Sequence, residues 1–179
     1  MVRITTKTGD QNETSLWTGQ RVAKTSDRII VIGKIDSLIA YLGICRFYSR
    51  GLDICIDIAL IQRHLSEACS EIGSKSPDRI LITREYVHFL EERSKTVEAQ
   101  VKYPEDWFYA GIQESSSQLN YARALSRECE IGVLKLSEFS GRSINLYFNR
   151  LSDYLYLAML YESQRTSRQA NKENQEPEQ

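Results

Sequence analysis

Apolar residues recur every three or four positions in five segments of the chain, and this spacing predicts five helices. The segments cover residues 26–50, 53–73, 83–101, about 113–137 and about 143–165. Strand-like runs are no longer than a few residues, and polar stretches such as "GSKSPD" separate the segments. The pattern therefore predicts an all-α protein, a five-helix antiparallel bundle.

Local signals mark the ends of the helices and divide the chain into three parts. Ser26 and Thr83 precede the first and third apolar segments, where a hydroxyl side chain typically caps a helix. Residues 1–25 lack an apolar period and form an N-terminal arm ahead of the bundle, which spans residues 26–166. Residues 167–179 have no apolar anchor, so we expect a mobile C-terminal tail.

Composition narrows the function classes. The 179 residues are 41% hydrophobic and 26% charged, as in one globular domain. The 23 Lys and Arg residues nearly balance the 24 Asp and Glu residues, which argues against nucleic acid or an anionic membrane as partner. No apolar run is long enough to span a bilayer, and "MVRITTKTGD" lacks the core of a secretion signal, so we expect a cytoplasmic protein. The four cysteines form no CxxC pair and no His lies at ligand spacing to them, so no protein-bound metal is expected.

A polar stripe runs along the fourth predicted helix. Asn120, Arg123, Arg127 and Glu130 lie three or four residues apart and therefore share one face. The stripe fits either a surface run of salt bridges or a ligand site. Asp36, at the edge of the apolar stripe of the first helix, is able to pair with Arg123 across helices. Such a pair fits a structural role as well as a role in holding Arg123 towards a ligand, and the spacing favours neither.

The last predicted helix contains a polar interruption. In "YFNRLSDYLYLAMLY", four polar residues follow closely on one another between apolar ones: Asn149, Arg150, Ser152 and Asp153. Taken alone, this interruption is typical of an exposed helical face.

The N-terminal arm is rich in groups that bind phosphate. Its hydroxyls, glycine and basic residues suit a polyphosphate, and an Asp is able to contact the accompanying Mg²⁺. The arm lacks the GK[ST] ending of a P-loop, so the usual nucleotide motif is absent. A solvated terminus has a similar composition, and the arm alone does not distinguish the two.

The order of the motifs identifies a family. "TKTGD", "TGQRVAKTSDRI", "GKID", "LIQRHL", "LNYARALSRECE" and "NRLSDYLY" together resemble the PduO-type ATP:cob(I)alamin adenosyltransferases from residue 4 to about 162. The resemblance implies a homotrimer of five-helix, ferritin-like bundles with active sites between subunits. It implies transfer of the 5′-deoxyadenosyl group of ATP to cob(I)alamin with release of triphosphate, and Mg²⁺ bound with ATP. A corrinoid reductase and a B12-dependent enzyme are the partners it implies.

The resemblance also assigns roles to individual residues. The groups implied to meet ATP are Thr6, Lys7, Thr8, Gly9, Asp10, Thr14, Ser15, Arg21, Lys24, Arg28, Arg127, Glu130 and Asn149. The groups implied on the cobalamin side are Asp36, Arg123, Asp153 and an aromatic residue that excludes the lower axial ligand of cobalt. Trp107 matches the position of that aromatic residue, and its neighbour Phe108 is the second choice. Arg127, Asp36, Arg123 and Trp107 form the implied catalytic set.

The chain departs from the family pattern at several positions on the ATP side. Asn12 replaces a glycine, Asn120 a histidine, and Glu128 and Ile131 replace arginines, while "YAGI" at 109–112 replaces an "LPGG"-like turn. These changes remove positive charge and loop flexibility. We expect an active but divergent enzyme; the alternatives are a non-catalytic carrier or sensor of cobalamin or ATP, and a bundle that has lost both ligands.

Overall fold

The protein folds as a five-helix bundle preceded by a short hairpin. A computed structural model describes residues 7, 9–16, 18–74, 76, 78–106 and 108–173, with side chains up to residue 165. The helices are α1 (Asp27–Tyr48), α2 (Leu52–Ile72), α3 (Arg84–Glu98), α4 (Glu114–Leu134) and α5 (Ser143–Glu173), with a 3₁₀ turn at Ser137–Phe139. The predicted five-helix bundle is confirmed.

The helices pack in the order α2, α1, α4, α5, α3 around one apolar core. Side chains from every helix are completely buried, among them Ile35, Ile58, Leu90, Leu119 and Phe148. At Gly132 in α4, a Cβ atom would lie 3.0 Å from Cγ2 of Val31 in α1. The missing side chain therefore allows these two helices to approach closely. The part of the chain that the structure describes contains no helix long and apolar enough to cross a membrane.

The arm contains regular structure that the pattern did not predict. Strands β1 (Glu13–Ser15) and β2 (Arg21–Ala23) pair antiparallel, with Thr14 opposite Val22. Leu16, which follows β1, is only 4% exposed and lines a cavity together with Ile29 and Ile32 of α1. Three-residue strands are too short to show an alternating pattern in the sequence.

The ends of the helices differ in detail from the sequence pattern. Ser26 and Thr83 stand at the N-caps of α1 and α3, but neither side chain makes a capping hydrogen bond. The Thr83 hydroxyl instead donates to Oε2 of Glu85 at 3.4 Å. At the other end of the chain, residues 167–173 continue α5 beyond the predicted end of the bundle at residue 166, and the mobility of the tail stays a prediction. This stretch contains no Gly or Pro that would end the helix.

A buried carboxylate ties three helices together. Asp57 of α2 is 3% exposed, and its Oδ2 accepts hydrogen bonds from Arg93 Nε of α3 and the Tyr154 hydroxyl of α5, each at 2.8 Å. Burial raises the pKa of Tyr154 well above its ordinary value, so the phenol remains a donor. Because α3 packs mainly on α5, this cluster also fixes α3 relative to α2.

Asp57→Ala is expected to lower the free energy of unfolding by about 2–4 kcal/mol, because it leaves the Arg93 charge and a buried hydroxyl unpaired. Urea denaturation measures this loss. Tyr154→Phe is the matched control and removes one hydrogen bond only, at a cost of about 1 kcal/mol. Equal losses for the two variants would show that the Arg93 pair contributes nothing.

Candidate active site

The polar stripe of α4 faces a cavity. Arg123 and Arg127 line a cavity of about 520 Å³, called here the arginine cavity, together with Arg150 and Asp153 of α5. Arg123 Nε donates to Oδ1 of Asn120 at 3.1 Å. Among the described residues, no carboxylate forms an ion pair with Arg123 or Arg127. The stripe is therefore not a run of salt bridges, and both guanidinium groups remain able to bind an anion.

Three residues of the polar interruption of α5, Arg150, Ser152 and Asp153, also line the arginine cavity, while Asn149 is absent from its described lining. Asn149 Nδ2 donates to Oε1 of Glu130 at 3.1 Å, so the two residues assigned to ATP lie side by side. Ser152 is buried, and its hydroxyl donates to the Asn149 carbonyl at 3.0 Å. Desolvation raises the pKa of Asp153, and Glu130 adds to this, while Arg150 and Arg127 oppose it. The interruption is thus only partly an exposed face, because Ser152 turns inward and Asn149 and Arg150 are half-buried.

A second cavity adjoins the first. This aromatic cavity, of about 540 Å³, is lined by Phe108, Tyr109 and Asn120, and it shares Tyr103, Arg123 and Tyr156 with the arginine cavity. Phe108 is half-buried and packs against the core. Trp107, the first choice for the aromatic residue, lies outside the described residues. Arg123 therefore stands in the wall common to both cavities.

A third cavity lies beside the arm. The arm cavity, of about 490 Å³, is lined by Thr14 and Ser15 of the hairpin, Gly33 and Asp36 of α1, and Ser66 and Ser70 of α2. Its described lining has no residue in common with the other two cavities. Among the described residues, Asp36 forms no ion pair with Arg123 of the same chain. Asp36 lies on the side of α1 that faces α2, whereas Arg123 lies on α4 facing α5.

Close contacts shape the arm itself. A Cβ atom on Gly9 would lie 3.0 Å from Nζ of Lys24, so the glycine leaves room for the ammonium group. Arg21 Nη1 donates to the Ser15 hydroxyl at 3.3 Å, and its Nε donates to Glu13 at 3.4 Å. Gly9 and Lys24, which the resemblance assigns to ATP, thus lie close together, and their role at ATP stays a prediction. Thr6 and Thr8 lie outside the described residues, while Lys7 and Asp10 are joined by a backbone hydrogen bond of 3.3 Å.

Arg28 has a different role from the one expected. Its Nη1 donates to the carbonyls of Ile72 at 2.5 Å and Ser74 at 2.7 Å, and its Nη2 binds Glu138 at 2.5 Å. Arg28 also lies over the ring of Phe139. These contacts join α1 to the end of α2 and to the 3₁₀ turn. The assignment of Arg28 to ATP is therefore not supported, because the guanidinium is already engaged.

The departures from the family pattern leave the arginine cavity cationic. Asn12 has a φ of 61°, a left-handed conformation that asparagine tolerates better than most residues, so it substitutes for glycine there. Glu128 pairs with Lys34 of α1 at 3.5 Å, and both side chains are exposed. Neither Glu128 nor Ile131 belongs to the described lining of the cavity. No cluster of three or more His, Cys, Asp or Glu side chains suited to a metal ion occurs in the described ranges.

Sequence reasoning missed several lining residues. Glu91, Lys95 and Glu98 of α3 and Tyr103 beyond it line the arginine cavity. Tyr103 donates to Oε1 of Glu98 at 2.5 Å, and this bond raises the pKa of the phenol to about 12. Nothing in the sequence pattern marked these residues as site residues, because the apolar spacing of α3 is that of an ordinary amphipathic helix.

The fold and its cavities define a class: a helical bundle in which two arginines, without an ion pair among the described residues, line a cavity next to an aromatic one. The chain belongs to the cobalamin adenosyltransferase family, whose model matches residues 4–162.

Individual relatives agree with this assignment. The chain is 35% identical over 159 residues to the corrinoid adenosyltransferase PduO of Citrobacter freundii. The aligned region covers 86% of this chain and 48% of PduO. It thus spans about half the length of that relative. A second corrinoid adenosyltransferase of Citrobacter freundii is 31% identical over 166 residues, covering 87% of this chain and 92% of that protein.

A solved structure shares the fold. It is a phenylalanine-to-histidine variant of the PduO-type ATP:corrinoid adenosyltransferase from Lactobacillus reuteri, complexed with cobalamin and ATP. The TM-score is 0.81 at 22% identity, covering 98% of this chain and 94% of the other.

Arg28→Ala is expected to lower the free energy of unfolding by about 2 kcal/mol, because it removes three hydrogen bonds. ATP affinity of the folded protein, measured by calorimetry, should not change. Lys24→Ala is the control. It should weaken ATP binding, whereas its free energy of unfolding should stay within about 0.5 kcal/mol of that of the parent protein. Loss of ATP affinity in Arg28→Ala would return this residue to the site.

Proposed function

We propose that the protein transfers the 5′-deoxyadenosyl group of ATP to cob(I)alamin. The observation that carries the proposal is the position of Arg123 between an arginine cavity and an aromatic cavity. A triphosphate requires cations, and the flat corrinoid requires apolar walls. Membership of the cobalamin adenosyltransferase family supports both assignments.

The reaction requires no nucleophile from the protein. Cobalt(I) attacks C5′ of ATP, a cobalt–carbon bond forms, and the C5′–O5′ bond breaks. Its electron pair leaves on triphosphate, and the cobalt becomes cobalt(III). The protein must therefore orient the two substrates and stabilise the charge of the leaving group. Arg127 and the cations of the arm are suited to that task, and Mg²⁺ arrives with ATP.

We assign the complete site to the interface between subunits of a homotrimer. Within one chain, the arm cavity and the arginine cavity have no described lining residue in common. In a cyclic trimer, each interface joins two different patches. The arm and Asp36 of one subunit then meet Arg123, Arg127 and Asn149 of the next, and the Asp36–Arg123 pair forms between subunits.

Phe108 and Trp107 are the two candidates for excluding the lower axial ligand of cobalt. Removing that ligand makes cobalt(II) easier to reduce, because the ligand stabilises cobalt(II). The half-buried position of Phe108 in the aromatic cavity supports it, and the sequence match supports Trp107.

Free cysteines support a reducing compartment. All four cysteines are unpaired thiols, and burial raises the pKa of Cys45 to about 12. We therefore propose the cytoplasm as the location. A corrinoid reductase would supply the cobalt(I) substrate, and a B12-dependent enzyme would use the product.

The direct test mixes the protein with ATP, Mg²⁺ and chemically reduced cob(I)alamin and follows the absorption spectrum of adenosylcobalamin. Catalytic product formation is the expected result. Arg127→Ala should abolish turnover while leaving the trimer intact in light scattering. Binding of ATP or cobalamin without turnover would instead favour the carrier or sensor.

Mixed trimers test the location of the site. Lys24→Ala and Arg127→Ala should each be inactive alone, because each removes one half of every site. Random assembly of the two variants restores both halves in about one quarter of the sites. Co-expressed variants should therefore recover about a quarter of the parent turnover. No recovery in verified mixed trimers would place both halves within one subunit.

The aromatic assignment is tested with cob(II)alamin and ATP. Alanine in place of the residue that excludes the lower ligand should abolish the four-coordinate cobalt(II) signal in electron paramagnetic resonance. The same substitution should leave the affinity for ATP unchanged. Phe108→Ala and Trp107→Ala are compared directly, and Ile112→Ala is the control, because Ile112 is exposed in the same loop and absent from the described lining of the aromatic cavity. An unchanged signal in both variants would contradict the assignment of either residue.

A further inference from the structure

The side-chain amide of Asn149 has one defined orientation. Its Oδ1 accepts from Nη1 of Arg150 at 2.8 Å, and its Nδ2 donates to Glu130 at 3.1 Å. A guanidinium group only donates hydrogen bonds, and a carboxylate only accepts them. Rotating the amide by 180° would therefore oppose donor to donor and acceptor to acceptor. The two charged neighbours together select this orientation.

Arg150 is itself held from another helix. Its Nε donates to Oε1 of Glu91 in α3 at 3.0 Å, while Nη1 of the same group reaches Asn149. A hydrogen-bonded chain thus runs from α3 through α5 to α4, in the order Glu91, Arg150, Asn149, Glu130. The planar guanidinium directs two donors in fixed directions, which a lysine ammonium does not do.

We propose that Arg150, fixed by Glu91, is a positioning residue that orients the amide of Asn149 towards the nucleotide. This inference rests on the proposed function, in which Asn149 meets ATP. With Oδ1 and one N–H occupied, Asn149 presents its remaining N–H as a donor. The group it binds is therefore a hydrogen-bond acceptor of ATP, and a flipped amide would present an oxygen to that acceptor.

Stability and orientation are separable here. The side chains of Arg150 and Glu91 are 38% and 39% exposed, and half-exposed ion pairs of this kind contribute little to folding. Arg150 also lines the arginine cavity, so direct contact with ATP is the competing explanation. A double-mutant cycle distinguishes the two, because a residue that acts through Asn149 has no effect once Asn149 is gone.

The experiment measures the affinity for MgATP by calorimetry in four proteins: the parent, Arg150→Ala, Asn149→Ala and the double variant. We expect Arg150→Ala to weaken binding about tenfold in the parent and less than twofold in the Asn149→Ala background. Equal losses in both backgrounds would show direct contact between Arg150 and ATP and overturn the proposal. No loss in the parent background would overturn it as well.

Further variants test the individual links of the chain. Arg150→Lys keeps the charge but should retain only part of the affinity, since one ammonium replaces two directed donors. Glu91→Ala should also weaken binding. Glu85→Ala is the matched control on the same helix, because Glu85 contacts Thr83 at 3.4 Å and is absent from the described cavity lining. Equal affinities of the Glu91 and Glu85 variants would show that Glu91 does not take part in this hydrogen-bonded series.

The cycle remains informative when the proposed function fails. Parent protein that binds MgATP without forming adenosylcobalamin would refute the enzyme, while the cycle would still decide the role of Arg150. Turnover by the parent together with additive losses would refute the positioning role alone. Parent protein that binds no MgATP would overturn both.

Discussion

The packing of α4 against α5 is the contact on which the candidate site depends. Leu119, Ala122 and Cys129 of α4 and Tyr147, Phe148 and Leu151 of α5 are completely buried. Because these residues fix the rotation of both helices about their axes, Arg123, Arg127 and Asn149 have no freedom to turn elsewhere. The polar groups at the cavity are held by apolar groups one turn away.

Helical periodicity allowed most of the bundle to be predicted. Ile35, Leu38 and Leu42 recur at the expected spacing and are buried, as are Ile58, Ile61 and Leu65. The arm was harder to predict, since its hairpin depends on three-residue strands and on Asn12 in a left-handed conformation. Such features come from backbone hydrogen bonds, which leave little trace in side-chain patterns.

Some of the proposed site residues were predictable from the sequence, and others were not. Helical spacing places Arg123, Arg127 and Glu130 on one face of α4, whereas only the resemblance joins Asn149 of α5 to them. The role of Arg28 was not predictable, since its partners are the carbonyls of Ile72 and Ser74, which any sequence supplies. The contact between Glu91 and Arg150 spans 59 positions and joins separate helices, so local spacing contains no information about it.

The charge arrangement of the arginine cavity favours function over stability. Arg123 and Arg127 lie one turn apart, and like charges at this spacing destabilise a helix by about 0.2–0.5 kcal/mol. Glu128 on the same helix pairs with Lys34 and relieves neither arginine. A fold selected for stability alone would place a carboxylate between them. Under the proposed function, a bound triphosphate would compensate this repulsion, so part of the binding energy would come from two guanidinium groups that form no ion pair among the described residues.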